Sequence, residues 1–302
     1  MAGRDLKPGT VKDYRRVMAE TFPDWQDRRL VDLTRDMIER RHAEFGERSH
    51  ARANNAMRVL RALFNFAAGK FEDAQGRPIV ADNPTRRLSA TRSWYRAERR
   101  QTLIKPTELP AWWSAVEALA SATVRDYLHV LILTGLRRNE GARLAWSDID
   151  LTARTLTVPD TKNRRPHVLP LPDFLLDLFH RRLEAAAPGA IYVFPAATGP
   201  GPLVDPRKSL DAVIAASGVQ FTPHDLRRTF ITITESLDIP AYALKRLLNH
   251  KSAADVTAGY LIIDTERLRE PMQRVTDFTL KAAGVRESAQ VAQLRTKDLA
   301  HS

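Results

Sequence analysis

Thr134-Gly135-Leu136-Arg137-Arg138-Asn139-Glu140 is the stretch on which the reading of this chain turns. An apolar helical pattern from Val124 to Thr134 runs into Gly135. A glycine at that point is a helix stop, because it takes up left-handed backbone geometry without steric cost. Arg137 is thereby delivered at a turn. An isolated arginine after a helix is most often a cap or an ion-pair partner, so its meaning depends on what the rest of the chain supplies.

Working outward, Leu156 and Val158 alternate with polar residues, Asp160-Thr161-Lys162-Asn163 supplies turn chemistry, and Val168 and Leu169 return toward Pro170. This is a hairpin signature with Lys162 at its tip. Helical patterns cover Thr107 to Ala120, Pro172 to Glu184, Asp205 to Ala216, Asp225 to Leu237, Tyr242 to Asn249 and Thr265 to Ala283, and the short apolar run Ile191-Tyr192-Val193-Phe194 suits a strand. Upstream, amphipathic helices are expected at Val11 to Glu20, Thr34 to Phe45 and Ser49 to Ala68, with Thr10, Thr34 and Ser49 placed to cap the free amides of a first turn. Met57, Leu60, Phe64 and Ala67 recur at the spacing that puts them on one helix face. Between Asp82 and Lys105 the periodicity breaks at Asn83-Pro84, and Arg86, Arg87, Arg92, Arg96, Arg99, Arg100 and Lys105 form a basic stretch. The expected organisation is a helical domain over 1–90, a basic linker over 91–106, a second domain over 107–285 and a polar tail over 286–302. The fold class is mainly α with a small antiparallel β-sheet.

The chain of 302 residues carries 47 Lys and Arg against 36 Asp and Glu, a formal charge of +11. The first hundred residues hold 22 of these cations against 14 acids, so the excess is concentrated at the front. A surplus of this size attracts polyanions over long range, which makes nucleic acid the first partner to consider. The arginines beside Trp94 and Tyr95 suit a solvated tether or a strap lying along phosphates. With no cysteine, disulfides, thiolate nucleophiles and Cys-based zinc sites are excluded, and the chain suits a reducing, cytoplasmic compartment. The eight histidines lack metal-ligand spacing, and no window has the roughly 20 apolar residues of a membrane span.

Three further segments give Arg137 its context. Pro223-His224-Asp225-Leu226-Arg227-Arg228-Thr229-Phe230 places His224 and Arg227 three apart, on one helix face, where both reach one anion. Leu248-Asn249-His250-Lys251-Ser252 follows, and Tyr260 lies ten positions after His250. In order and spacing these segments resemble the arginine box, the His-x-x-Arg box, the Leu-Gly-His segment and the tyrosine of the tyrosine recombinases of the integrase type. The resemblance covers nearly the whole chain and is strongest from Thr107 to Pro271. It implies a helical SAM-like core-binding domain and an integrase-type catalytic domain that together clamp duplex DNA.

The chemistry implied explains the residue types. A tyrosine hydroxyl, with a reference pKa of about 10, is a poor nucleophile at neutral pH, and a phosphodiester repels attack by its charge. Arg137 and Arg227 would neutralise the non-bridging oxygens and stabilise the extra charge of the five-coordinate transition state, the part a metal ion plays elsewhere. The resemblance assigns Tyr260 as nucleophile, Lys162 as the acid that protonates the leaving 5′ oxygen, and His224 and His250 as further phosphate donors or as aids to tyrosine deprotonation. The product is a 3′-phosphotyrosine linkage, resealed by another 5′-hydroxyl without ATP, metal or other cofactor. Arg138 and Arg228 point elsewhere on a helix and are left out of the site. DNA contacts are expected at Arg86, Arg87, Arg92, Arg96, Arg99 and Arg100. The implied partners are double-stranded DNA with a specific core site, three further copies of the chain in a tetramer on DNA, and a DNA-bending accessory protein.

The sequence departs from the family pattern at Asn249, where glycine is common, and the His250 to Tyr260 gap is one residue longer than in many members. Leu6-Lys7-Pro8-Gly9-Thr10 resembles the start of a helix well inside the core-binding domain, so a shortened product or a simpler relative without the arm-binding domain is expected. Leu268, Met272, Val275 and Phe278 recur at helical spacing on a segment suited to docking on a neighbour or to packing in its own subunit. A tyrosine-type topoisomerase and a catalytically silent DNA-binding module are the alternative functions.

Overall fold

Hydroxyl caps and one proline decide where the amino-terminal helices begin. The computed structural model describes residues 6–96, 98, 101–161, 166–249 and 265–286. Helix α1 (Pro8–Thr21) starts with a proline in its first turn, where the missing amide hydrogen costs nothing. Helices α2 (Arg35–Arg48) and α3 (His50–Lys70) open on Thr34 and Ser49, whose hydroxyls accept from the amides of Met37 and Arg52. A short α4 (Arg87–Ala90) follows Asn83-Pro84. Met57, Leu60, Phe64 and Ala67 are all buried, as their spacing predicts, against Val17, Phe22, Trp25, Ile38 and Leu88.

The chain divides into two compact units, Met1–Arg100 and Gln101–Ser302, so the first takes in much of the stretch read as linker. Trp94 and Tyr95 are fastened to the helices of their own unit. The buried Asn54 amide donates to Tyr95 O at 2.9 Å and its oxygen accepts from Tyr95 N at 3.3 Å. The Tyr95 ring stacks on His50 at 4.2 Å and on His42 at 4.6 Å, in space left by the missing side chain of Gly46. Trp94 donates to Ser89 Oγ, and the Arg61 guanidinium lies 4.8 Å from its ring. These rings are therefore engaged within their own unit.

The second unit is built around helix α6 (Ala122–Thr134), buried over most of its length. It is preceded by α5 (Leu109–Glu117) and followed by a five-residue α7 (Arg138–Ala142) that the sequence pattern does not announce. Strands β1 (Ile149–Asp150), β2 (Thr155–Val158) and β3 (His167–Pro170) form an antiparallel sheet in the order β1-β2-β3, with Leu156 opposite Leu169 and Val158 opposite His167. The expected hairpin is present. Helices α8 (Asp173–Glu184), α9 (Arg207–Ser217), α10 (Pro223–Ser236), α11 (Ala241–Leu247) and α12 (Arg269–Ala282) complete the unit. Ile191 to Phe194 does not become a regular strand. Its amides and carbonyls instead bond to the loop at Leu144 to Trp146, with one antiparallel bridge between Ala145 and Tyr192. Leu268, Met272 and Val275 are buried in the core of their own unit, so the packing alternative holds for that face of α12.

Among the described residues no helix is long and apolar enough to cross a membrane. One buried histidine has a consequence for stability. His129 is 2% exposed and stacks flat on Trp113 at 4.2 Å, and burial pushes its pKa down to about 4. A histidine neutral in the fold and protonated in the unfolded chain lowers stability as pH falls from the unfolded value of about 6.5 to about 4. Thermal unfolding followed across that window should show a falling midpoint. His129→Phe, which keeps the stacked ring, should flatten the dependence by roughly 1.4 kcal/mol per pH unit; an unchanged slope would show that His129 does not titrate this way.

Candidate active site

The end of α6 fixes the first candidate. Gly135 closes the helix with a φ of 63°, its amide donating to Leu131 O. A side chain there would also collide with Phe230 of α10, whose ring lies 2.6 Å from where a Cβ would sit. The glycine thus permits both the left-handed turn and the close approach of α10. Thr134 accepts from the amide of Leu136 and steadies the turn. Arg137 then emerges, held by Glu140, which accepts from its backbone amide at 2.9 Å and from Nη1 at 2.8 Å. Only 9% of the Glu140 side chain is exposed against 29% for Arg137, so the carboxylate is a fixed counter-charge behind a guanidinium that still meets solvent.

Arg227 lies one turn before Phe230 on α10 and is 5% exposed. Its Nη1 donates to Gly135 O, and its Nη2 donates to Leu248 O at 2.8 Å. One buried cation therefore joins the arginine-box turn to the end of α11. Burial first, and then the nearby positive charge of Arg137, lowers its pKa to about 10, with Glu140 opposing the shift. The guanidinium remains protonated at neutral pH. Two cations are thus held near each other with one carboxylate between them in the charge balance, an arrangement that an arriving anion relieves.

His224 is exposed in the first turn of α10, three residues before Arg227. Its pKa is lowered by partial burial and by the charges of Arg228, Arg227 and Arg137, against the opposing pull of Asp225. It is a neutral imidazole at pH 7, free to donate from one ring nitrogen and accept at the other. Asp225 is turned away into the protein. It accepts from the hydroxyls of Thr222 at 2.7 Å and Thr102 at 2.8 Å and pairs with Arg228 at 2.8 Å, so it builds the start of α10 and does not form an ion-pair face with His224. Arg138 donates to Val204 O, and Arg228 pairs with Asp225 while its charge still acts on His224.

Two groups near this cluster were given no role by the sequence reading. Glu140 stood in the motif at the i+3 position of a helix start, the spacing of a capping box, and that was its available signal. His167 on β3 donates from Nε2 to Leu247 O at 3.0 Å, and burial lowers its pKa to about 4 despite the attraction of Glu140. No local pattern marks it, since its partner is 80 residues away. Lys162, His250 and Tyr260 lie outside the described residues, as do Arg99 and Arg100. Among the proposed DNA contacts, Arg86, Arg92 and Arg96 are exposed, whereas Arg87 is partly buried and lies 3.2 Å from Glu39. Among the described residues no group of three or more His, Asp or Glu side chains is placed to hold a metal ion.

Residues 103–267 match the Phage integrase family. The chain is 26% identical over 239 residues to the prophage integrase IntF of Escherichia coli, covering 76% of this chain and 50% of that protein. It is 31% identical to the prophage integrase IntZ of the same organism over 70% of this chain and 51% of that one, so it spans about half the length of these curated relatives. The tyrosine recombinase XerA of Thermococcus onnurineus is 24% identical over 88% of this chain and 89% of its own. In fold, the chain is similar to a lambda integrase (75–356) dimer bound to a COC′ core site, with a TM-score of 0.64 at 22% identity over 82% of this chain and 90% of that one. The Tn1549 transposon integrase in complex with circular intermediate DNA gives the same TM-score of 0.64 at 17% identity, over 87% and 94%. With a match over more than half of its length, carrying both arginines on the described scaffold, the chain belongs to the phage integrase family of tyrosine recombinases.

Proposed function

We propose that this chain is a site-specific DNA recombinase that cuts and rejoins DNA strands through a covalent 3′-phosphotyrosine at Tyr260, integrating or excising a phage or genomic-island element. The observation that carries the reading is the convergence of Arg137 and Arg227, one on the surface and braced by Glu140, the other buried and braced by two backbone carbonyls. A phosphodiester has two non-bridging oxygens, and two guanidinium groups are matched to them.

In this reading the phenol of Tyr260 loses its proton to an imidazole, His224 being neutral and exposed and His250 the second candidate. The phenolate oxygen attacks phosphorus, the bond from phosphorus to the 5′ oxygen breaks, and the Lys162 ammonium gives that oxygen a proton. The result is a 3′-phosphotyrosyl end and a free 5′-hydroxyl. Attack by a different 5′-hydroxyl reverses the steps and returns the proton to the lysine, so the phosphodiester energy is conserved. The five-coordinate transition state adds negative charge, and arginines fixed before the reaction stabilise it without reorganising.

Binding to duplex DNA with a defined core site is supported by the net charge of +11 and by the fold shared with integrases solved on DNA. Arg86, Arg87, Arg92, Arg96, Arg99 and Arg100 are assigned to phosphate contacts, which position the protein without reading sequence. A tetramer on two duplexes is supported by the lambda integrase tetramer solved on a Holliday junction, whose fold this chain shares at a TM-score of 0.64. A DNA-bending accessory protein and action in the cytoplasm complete the reading.

Incubation with a nicked suicide duplex carrying the element's junction, followed by denaturing electrophoresis, should trap a covalent adduct that Tyr260→Phe abolishes. An adduct that persists in Tyr260→Phe would place the nucleophile elsewhere. Arg227→Lys keeps the charge but not the fork that reaches Gly135 O and Leu248 O, and should slow cleavage by about 10²- to 10³-fold, the scale of losing one preorganised donor. Cleavage within a few-fold of the parent would remove Arg227 from the phosphate site. Strand transfer between two defined sites, rather than relaxation of any supercoiled circle, separates a recombinase from a topoisomerase.

A further inference from the structure

The turn that ends α11 is held by three consecutive residues. Leu247 O accepts from His167 Nε2 at 3.0 Å, Leu248 O accepts from Arg227 Nη2 at 2.8 Å, and Asn249 Nδ2 donates to Thr161 Oγ1 at 3.1 Å. His167 begins β3 and Thr161 follows β2, so two of these bonds run to the hairpin that brackets Lys162, and the third runs to the buried arginine of the phosphate site. The same turn leads directly into His250.

Asn249 has a φ of 49°, in the left-handed region that asparagine tolerates better than other side chains except glycine. Glycine satisfies the backbone equally well and offers no amide. The backbone requirement is met by glycine as well as by asparagine, but the bond to Thr161, 88 residues away in sequence, is something only the asparagine supplies. Thr161 is 1% exposed, so its hydroxyl meets the amide out of competition with water.

We propose that Asn249 and Thr161 are a pair of positioning residues whose hydrogen bond ties the loop that leads from β2 to Lys162 onto the turn before His250, so that the Lys162 ammonium is aligned with the leaving 5′ oxygen. The inference rests on the assignment of Lys162 as the acid that protonates the leaving 5′ oxygen. In this proposal neither residue is given a contact with the reacting atoms. Their effect falls on how well the lysine proton is delivered, and hence on the step in which the bond to the 5′ oxygen breaks.

The test uses Asn249→Gly, which keeps the left-handed backbone and removes only the amide, together with Thr161→Val, which keeps the shape and removes the acceptor, and the double variant. Cleavage rates are measured on a nicked duplex with an ordinary 5′ oxygen at the scissile phosphate and on one with sulfur in that bridging position, whose thiolate leaves without a proton. Lys162→Ala is carried alongside. On the oxygen substrate each single variant should be slowed by about tenfold, the scale of one hydrogen bond at the transition state, and the double variant should be scarcely slower than either. On the sulfur substrate all three should cleave at the parental rate, as Lys162→Ala should. Parental cleavage of the oxygen substrate by Asn249→Gly and Thr161→Val, with Lys162→Ala slowed and rescued, overturns the inference alone. Equal slowing on both substrates, or rate losses that multiply in the double variant, also overturns it by showing a general structural role. Failure of sulfur to rescue Lys162→Ala overturns the lysine assignment and the inference with it.

Discussion

Everything in the second unit is arranged around one electrostatic constraint, the holding of two like charges close together. Arg227 is buried deeply enough that its pKa falls to about 10, and the charge of Arg137 contributes to that fall. A fold tolerates such a pair only when each guanidinium is hydrogen-bonded and a counter-charge stands nearby. Glu140 supplies the counter-charge to Arg137, and the carbonyls of Gly135 and Leu248 supply acceptors to Arg227. What is left over is net positive potential, which in the proposed reading meets the two non-bridging oxygens of a phosphodiester.

The scaffold follows from that need. The two carbonyls that receive Arg227 come from the ends of different helices, where backbone acceptors have no intrahelical partner. Bringing α10 against the end of α6 requires a residue without a side chain at Gly135, and the contact with Phe230 enforces it. Asp225 anchors the start of α10 through two threonines and Arg228, which fixes His224 and Arg227 on the face that looks toward Arg137. His167, kept neutral by burial, closes the arrangement from the sheet side.

Much of this was legible in the chain, and for a physical reason. Helix caps at Thr34 and Ser49, the stop at Gly135, the hairpin around Leu156 and Leu169 and the three-residue spacing of His224 and Arg227 are local features, and local sequence encodes them directly. The parts that escaped are contacts between distant residues. The link from Arg227 to Leu248, that from His167 to Leu247 and that from Asn249 to Thr161 join positions 21, 80 and 88 residues apart, and no periodicity announces them. The linker shows the same division. Its arginines and aromatics were visible, yet the engagement of Tyr95 by Asn54 and two histidine rings depends on the packing of α2 and α3. For Ile191 to Phe194 an apolar run suggested a strand, and the edge available to it was a loop, which accommodates a bridge and not a ladder.

In the proposed reading Arg137 and Arg227, rather than a metal ion, carry the phosphate while Tyr260 takes it up. The most direct test of that reading is to run the cleavage reaction in excess chelator, digest the trapped protein–DNA adduct with protease and nuclease, and identify the nucleotide-bearing peptide by mass spectrometry. An undiminished yield of adduct, with a nucleotide 3′-phosphate on Tyr260, is the expected result. Loss of the adduct on chelation, or a nucleotide found on any other residue, would contradict that reading.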